Sequence, residues 1–159
     1  MKKVFIGSDH AGYHLREKII SYLKKEQIPF VDMGNLKYDP NDDYPDFAAL
    51  VAKEVQKHDG RGILACGSSF GVCIAANKFK GIRAVSINSE AEAITSRKDN
   101  DANVLCLSGG EATLRLIKPM KFDVIKKIID AWLHTTSSQA DRHQRRLQKI
   151  RIIEKKNFR

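Results

Sequence analysis

The chain has 159 residues, 42% hydrophobic and 8% aromatic, and carries a formal charge of +9. That is enough chain for one domain, 1–159, with a real core; it excludes disorder, and no apolar run approaches the roughly 20 residues that span a bilayer. The opening Met1-Lys2-Lys3-Val4-Phe5-Ile6-Gly7 has no signal-peptide core and the three cysteines have no metal-like spacing to histidines, so a reducing, cytoplasmic setting is expected, with no membrane partner.

Residues 3–7 are apolar and β-rich, a first strand, and Ser8-Asp9-His10-Ala11-Gly12 follows as a turn. Residues 13–25 place Leu15, Ile19, Ile20 and Leu23 at helical spacing, and 29–33 form a short second strand. Residues 34–43, with Pro40 and a run of Asn and Asp, form a loop. A helix over 45–56 has Phe47, Leu50, Val51 and Val55 on one face, and a third strand covers 61–65. Cys66-Gly67-Ser68-Ser69-Phe70-Gly71 is then a glycine-flanked turn before a short apolar helix over 72–77. A fourth strand covers 82–87, and Ser89 caps a helix running to about 98.

A fifth strand covers 102–107. Ser108-Gly109-Gly110-Glu111 starts a helix, with Ser108 and Glu111 at capping-box spacing, and Pro119 interrupts it. Helix resumes over 122–133 with Val124, Ile125, Ile128, Ile129 and Trp132 inward. The last helix, about 139–156, is strongly basic, with Leu147, Ile150 and Ile153 as an apolar line. It has no strand of its own to cover, so a second subunit is the expected partner. From Arg142 onward eight Lys/Arg face one acid, which raises nucleic acid or a phosphorylated small molecule as partners.

Five strand–helix alternations predict an α/β fold: a three-layer αβα sandwich, a Rossmann-like five-stranded parallel sheet with helices on both faces, plus the basic C-terminal helix. Ligands in such folds sit at the carboxyl ends of the strands. Asp9 and His10 fall there, as do Cys66 to Gly71 and Asn88; Asp99, Asn100 and Asn103 precede the fifth strand and belong to its other end unless the loop wraps over.

The turn at Cys66 has two readings. It is either a small residue that fits a tight turn, or a thiol whose ionised form is favoured by the start of a helix beside backbone donors. Cys73 and Cys106 sit in apolar contexts as packing residues. Arg142 and Arg146, four apart, share a helix face and can meet one phosphate, or simply face solvent. Tyr44 is either a contact or a helix start, and Asn77 and Lys78 read as helix end and surface.

Taken together, Gly7-Ser8-Asp9-His10-Ala11-Gly12, Asp43-Tyr44-Pro45, Cys66-Gly67-Ser68-Ser69-Phe70-Gly71, Ala75-Ala76-Asn77-Lys78, Gly81-Ile82-Arg83-Ala84, Asn100-Asp101-Ala102-Asn103-Val104-Leu105 and Arg142-His143-Gln144-Arg145-Arg146 resemble, in order and spacing, the type B ribose-5-phosphate isomerases, a family that includes the galactose-6-phosphate isomerase subunits. The resemblance implies interconversion of ribose 5-phosphate and ribulose 5-phosphate without metal or cofactor, in a homodimer or tetramer with shared active sites. It implies Cys66 as the base, Ser68 as its hydroxyl partner, and Gly67, Ser68, Ser69, Phe70 and Gly71 as the loop around the enediolate. Asp9 and His10 would hold sugar hydroxyls or phosphate, Tyr44 and Asn100 would touch substrate, and Arg142 and Arg146 would clamp the phosphate.

Two positions depart from the family pattern. Asp99 stands where a ring-opening histidine is usual, and Gly110 where a phosphate-binding arginine is common. An ordinary Asp pKa near 3.9 suits ring protonation poorly, so Asp99 needs a raised pKa, or Asp9 or His10 does the work, or the open-chain sugar is used. The alternatives are isomerisation of a hexose 6-phosphate of the allose or galactose type, and an inactive homologue binding nucleic acid, the less favoured of the two. A nucleotide-binding module lacks its Gly-rich motifs.

Overall fold

The computed structural model describes residues 2–35, 37–110 and 119–158. Its strands are β1 (Val4–Ser8), β2 (Phe30–Asp32), β3 (Arg61–Cys66), β4 (Ala84–Ser86) and β5 (Val104–Ser108). Its helices are α1 (Tyr13–Lys25), α2 (Tyr44–His58), α3 (Phe70–Ala76), α4 (Glu90–Asn100), α5 (Phe122–His134) and α6 (Asp141–Asn157). The sheet is parallel throughout, in the order β2-β1-β3-β5-β4. The chain is the expected Rossmann-like αβα sandwich.

The central strands are buried from end to end, which their continuous apolar runs anticipate. Strand alternation splits the core in two. Val4, Ile6, Ile63, Ala65, Leu105 and Leu107 face α1 and α5, where Trp132 is fully buried. Phe5, Leu64, Cys66, Val104 and Cys106 face α2 and α3.

The fourth strand is shorter than 82–87. Gly81 turns the chain in the left-handed region, and Asn77 then takes both backbone groups of Ala84, accepting its N–H at 2.8 Å and donating to its carbonyl at 2.9 Å. Arg83 is drawn aside to the Asp101 carboxylate at 2.8 Å. The helix expected from Ser108 falls on residues 111–118, outside the described residues; Ser108 itself ends β5.

The basic helix α6 lies outside both layers. Ser138 N–H donates to the Lys98 carbonyl at 2.9 Å, and Leu147 is buried against its own chain. Only part of the expected apolar line is therefore left over: Ile150 and Ile153 stay exposed.

Candidate active site

The strand order reverses between β1 and β3, so a crevice opens at their carboxyl ends. Ser8 pairs with Ala65 in register, which sets Asp9 beside Cys66 one residue on. Asp9 caps the 3-10 turn at His10–Gly12, its Oδ1 accepting the Gly12 N–H at 2.9 Å. Gly12 must be glycine: a methyl there would stand 2.3 Å from the Ala65 carbonyl oxygen and 2.7 Å from the Cys66 nitrogen. Burial raises the Asp9 pKa, opposed by the Gly12 N–H and the charge of His10.

Cys66 is buried, and its Sγ accepts the Ser69 N–H at 3.1 Å. Ser69 makes this possible by taking a left-handed conformation, φ 69°, which turns the chain sharply into α3. Its hydroxyl bonds to Ser86 on β4 and to the Ser68 carbonyl. The turn is tied to β5 by Gly109 N–H donating to the Cys66 carbonyl at 2.8 Å, and by the Ser108 hydroxyl donating to the Gly67 carbonyl at 2.7 Å. Ser68 Oγ accepts the Phe70 N–H at 3.4 Å and reaches solvent. The Ser69 amide thus faces the sulfur, as an anion-accepting turn requires.

The expected direction of the Cys66 pKa is corrected. Burial pushes the thiol up, and this outweighs the lowering by the Val72, Ser68 and Ser69 amides; the neighbouring Asp9 charge pushes it the same way as burial. Burial thus works against the thiolate here. Cys73 behaves differently: a hydrogen bond from Cys106 brings it down to about 7, and it is partly exposed.

His10 is held by a residue that sequence reasoning passed over. Asp42 Oδ1 accepts the His10 backbone N–H at 2.8 Å and lies 2.7 Å from its Nδ1. Asp42 had no motif to mark it, being one acid in an Asn/Asp-rich loop.

Tyr44 opens α2 and lies against Gly71, where a methyl would stand 2.8 Å from its ring. It is thus both helix start and wall of the turn. Beside it, Phe70 and Ile74 leave 58% and 62% of their surface exposed, an apolar rim next to the Cys66 turn.

The remaining candidates gather elsewhere. Asp99 and Asn100 end α4, before β5, and Gly62 at the start of β3 donates its N–H to the Asn103 carbonyl at 2.8 Å. They mark the amino ends of the strands, with the length of β3, about 20 Å, between them and Cys66. Arg142 and Arg146 come with them, exposed on α6. His143, quoted in the motif without a role, is what joins the group: its Nδ1 lies 3.2 Å from Asp99 Oδ1, and its Nε2 accepts the Arg142 Nε–H at 2.8 Å. The candidates therefore fall into two groups, Asp9, His10 and Cys66 to Gly71 at one end of the sheet, and Asp99, Asn100, Arg142 and Arg146 at the other. Asn88 is exposed, and its N–H is taken by Glu92. Gly110 is in the left-handed region, φ 71°, which disfavours a side chain there.

Among the described residues, no three His, Cys, Asp or Glu side chains gather as a metal site, and no helix is long and apolar enough to cross a membrane. Over residues 4–150 the sequence matches the family described as Ribose/Galactose Isomerase. It is 45% identical to the probable ribose-5-phosphate isomerase B of Mycoplasma genitalium, covering 96% of this chain and 95% of that protein. It is 39% identical to the ribose-5-phosphate isomerase B of Escherichia coli, covering 98% and 99%. The structure of the Mycoplasma genitalium enzyme with bound ribulose-5-phosphate superposes with a TM-score of 0.85 at 44% identity, covering 98% of this chain and 97% of that one.

Proposed function

The chain belongs to the ribose/galactose isomerase family, and from that premise we propose that it interconverts ribose 5-phosphate and ribulose 5-phosphate, with Cys66 as the base. Aldose–ketose isomerisation moves one proton between C2 and C1. The Cys66 thiolate takes the proton from C2, the C–H electron pair forms the C1=C2 bond, and the carbonyl pair moves onto O1. The O2 hydroxyl proton passes to O1, and the thiol returns its proton to C1 as the C2=O2 carbonyl forms. The charge that develops on oxygen meets the amides of Gly67 to Gly71, fixed in place before the substrate arrives. Because Cys66 starts as a thiol, a group beside it must take its proton. The buried Asp9 carboxylate lies in the same crevice and takes that proton, with the Ser68 hydroxyl as a hydrogen-bond partner of the sulfur.

The phosphate and the ring oxygen need the second half-site, which a second copy of the chain supplies. That reading, a homodimer with shared sites, is supported by the opposite placement of the two halves in one chain and by the exposed Phe70, Ile74, Ile150 and Ile153. Residues 1–159 then act as one isomerase domain whose α6 serves the neighbouring copy. Three free thiols suit a reducing cytoplasm.

The observation that carries the proposal is Cys66 at the β1/β3 switch point, its sulfur accepting an amide of a glycine-flanked turn. Steady-state turnover of ribose 5-phosphate, with allose 6-phosphate measured alongside, tests it. Preference for the pentose is expected; turnover of the hexose alone would move the chain to the hexose branch.

A further inference from the structure

Asp42 does more than close a loop. One of its oxygens, Oδ1, takes both the backbone N–H and the ring Nδ1 of His10, at 2.8 and 2.7 Å. The other oxygen accepts the Asn35 side-chain N–H at 2.9 Å. The Asp42 side chain is only 8% exposed, whereas His10 keeps 28%. A carboxylate accepts and does not donate, so the ring proton facing it sits on Nδ1 and the exposed edge of the ring is Nε2.

The surroundings of His10 act in one direction. The hydrogen bond to Asp42 is the largest influence and raises its pKa; burial opposes, and the charge of Asp9 adds to the rise. Tyr38 stands edge-on at 6.4 Å, with His14 stacked behind Tyr38 at 6.3 Å. Two carboxylates therefore act on this ring, with Tyr38 edge-on to it, and the cationic form is favoured.

We infer that Asp42 is a positioning residue for the isomerase: it fixes His10 with Nε2–H turned into the crevice as a charged donor for the substrate's phosphate or hydroxyl oxygens. The inference rests on reading His10 as a substrate contact. It gives Asn35 and Asp42 a shared part, since Asn35 holds Asp42 and Asp42 holds the turn after the first strand.

The test compares Asp42→Asn, which keeps size and the carbonyl acceptor but removes the charge, with Asn35→Ala, which removes only the loop staple. Two readouts are needed: the titration of the His10 imidazole by NMR, and KM and kcat for ribose 5-phosphate between pH 6 and 8. In the wild-type protein His10 should titrate above its ordinary 6.5. In Asp42→Asn the midpoint should fall by about 1 pH unit or more. KM should rise about tenfold at pH 8 and less at pH 6, with kcat changing far less, because a charge-assisted contact is lost on binding. Asn35→Ala should move neither midpoint nor pH profile. An unchanged His10 midpoint in Asp42→Asn, or the same effects from Asn35→Ala, would overturn the inference and leave Asp42 as a loop staple. The NMR arm does not depend on turnover. A shifted midpoint in a protein that leaves ribose 5-phosphate untouched would reject the isomerase reading, and with it the substrate role of Asp42, while the Asp42–His10 coupling stood. A wild-type midpoint at or below 6.5 would overturn the coupling without any variant.

Discussion

Asp99 lies 3.2 Å from His143, and the pair sits at the opposite end of the sheet from Cys66. The proposed two-copy site rests on that relationship, and mixing chains tests it. Cys66→Ala and Arg142→Ala should each be inactive or severely impaired alone. Refolded together in equal amounts, they should regain about a quarter of wild-type activity, since half the dimers are mixed and each mixed dimer holds one intact site. No recovery on mixing, with dimers confirmed by sedimentation, would place both residues in one chain's site.

Arg142 is held through its Nε by His143, which leaves its terminal nitrogens for a phosphate. Arg142→Ala or Arg146→Ala should raise KM by roughly 10- to 100-fold, from the loss of a charge-assisted contact worth about 1.5–3 kcal/mol. His143→Ala should raise KM in the same direction by less. The measurement is KM for ribose 5-phosphate at fixed ionic strength; unchanged values for both arginine variants would remove the clamp.

The three thiols should react in a set order. Cys73, brought down to about 7 and partly exposed, should be alkylated by iodoacetamide first at pH 7. Cys66, pushed up by burial, should react more slowly, and Cys106, fully buried and pushed far up, should resist until the chain unfolds. Peptide mass spectrometry over time reads the order. For the same reason kcat/KM should climb with pH above neutrality as the Cys66 proton becomes easier to remove, until the His10 cation is lost.

His10 also links pH to stability. Its folded pKa is raised above the unfolded 6.5, so its contribution is fully present below pH 6.5 and is lost as pH rises through the folded value. Thermal melting of Asp42→Asn should therefore fall relative to wild type more at pH 6 than at pH 8. An equal loss at both would show that the pair's charge does not contribute.

Gly12→Ala tests how the turn is packed. The added methyl meets backbone, which cannot swing away as a side chain can. The end of β3 must shift, at a cost of about 1–3 kcal/mol in stability, and Cys66 shifts with it. A lower melting temperature and a lower kcat should come together; full activity would mean that the site tolerates displacement.

The buried strands were legible because Val, Ile and Leu run unbroken through them, and the helices because their apolar residues fall on one face. The edge strand β4 was read too long because tertiary bonds to Asn77 and Asp101 trim its start. Cys66, Asp9 and His10 could be placed at one end of the sheet from chain order alone, since each follows a strand. Asp99 and Asn100 precede the fifth strand, which puts them at the other end unless their loop wraps over, and the structure keeps them there. Asp42 was missed because it lies in a run of Asn and Asp, and the role of His143 because only the fold brings α6 to Asp99. The Cys66 pKa was misjudged because a local argument counts the turn's amides and cannot count the burial imposed by α2, α3 and β5.

The most direct measurement is the turnover of ribose 5-phosphate by the purified protein and by its Cys66→Ala variant, with folding of both checked by circular dichroism. Wild-type turnover with a loss of at least about a thousandfold in the variant is the predicted result, as expected for removal of the base. Activity retained in Cys66→Ala, or a folded wild-type protein that does not isomerise ribose 5-phosphate, would contradict the account.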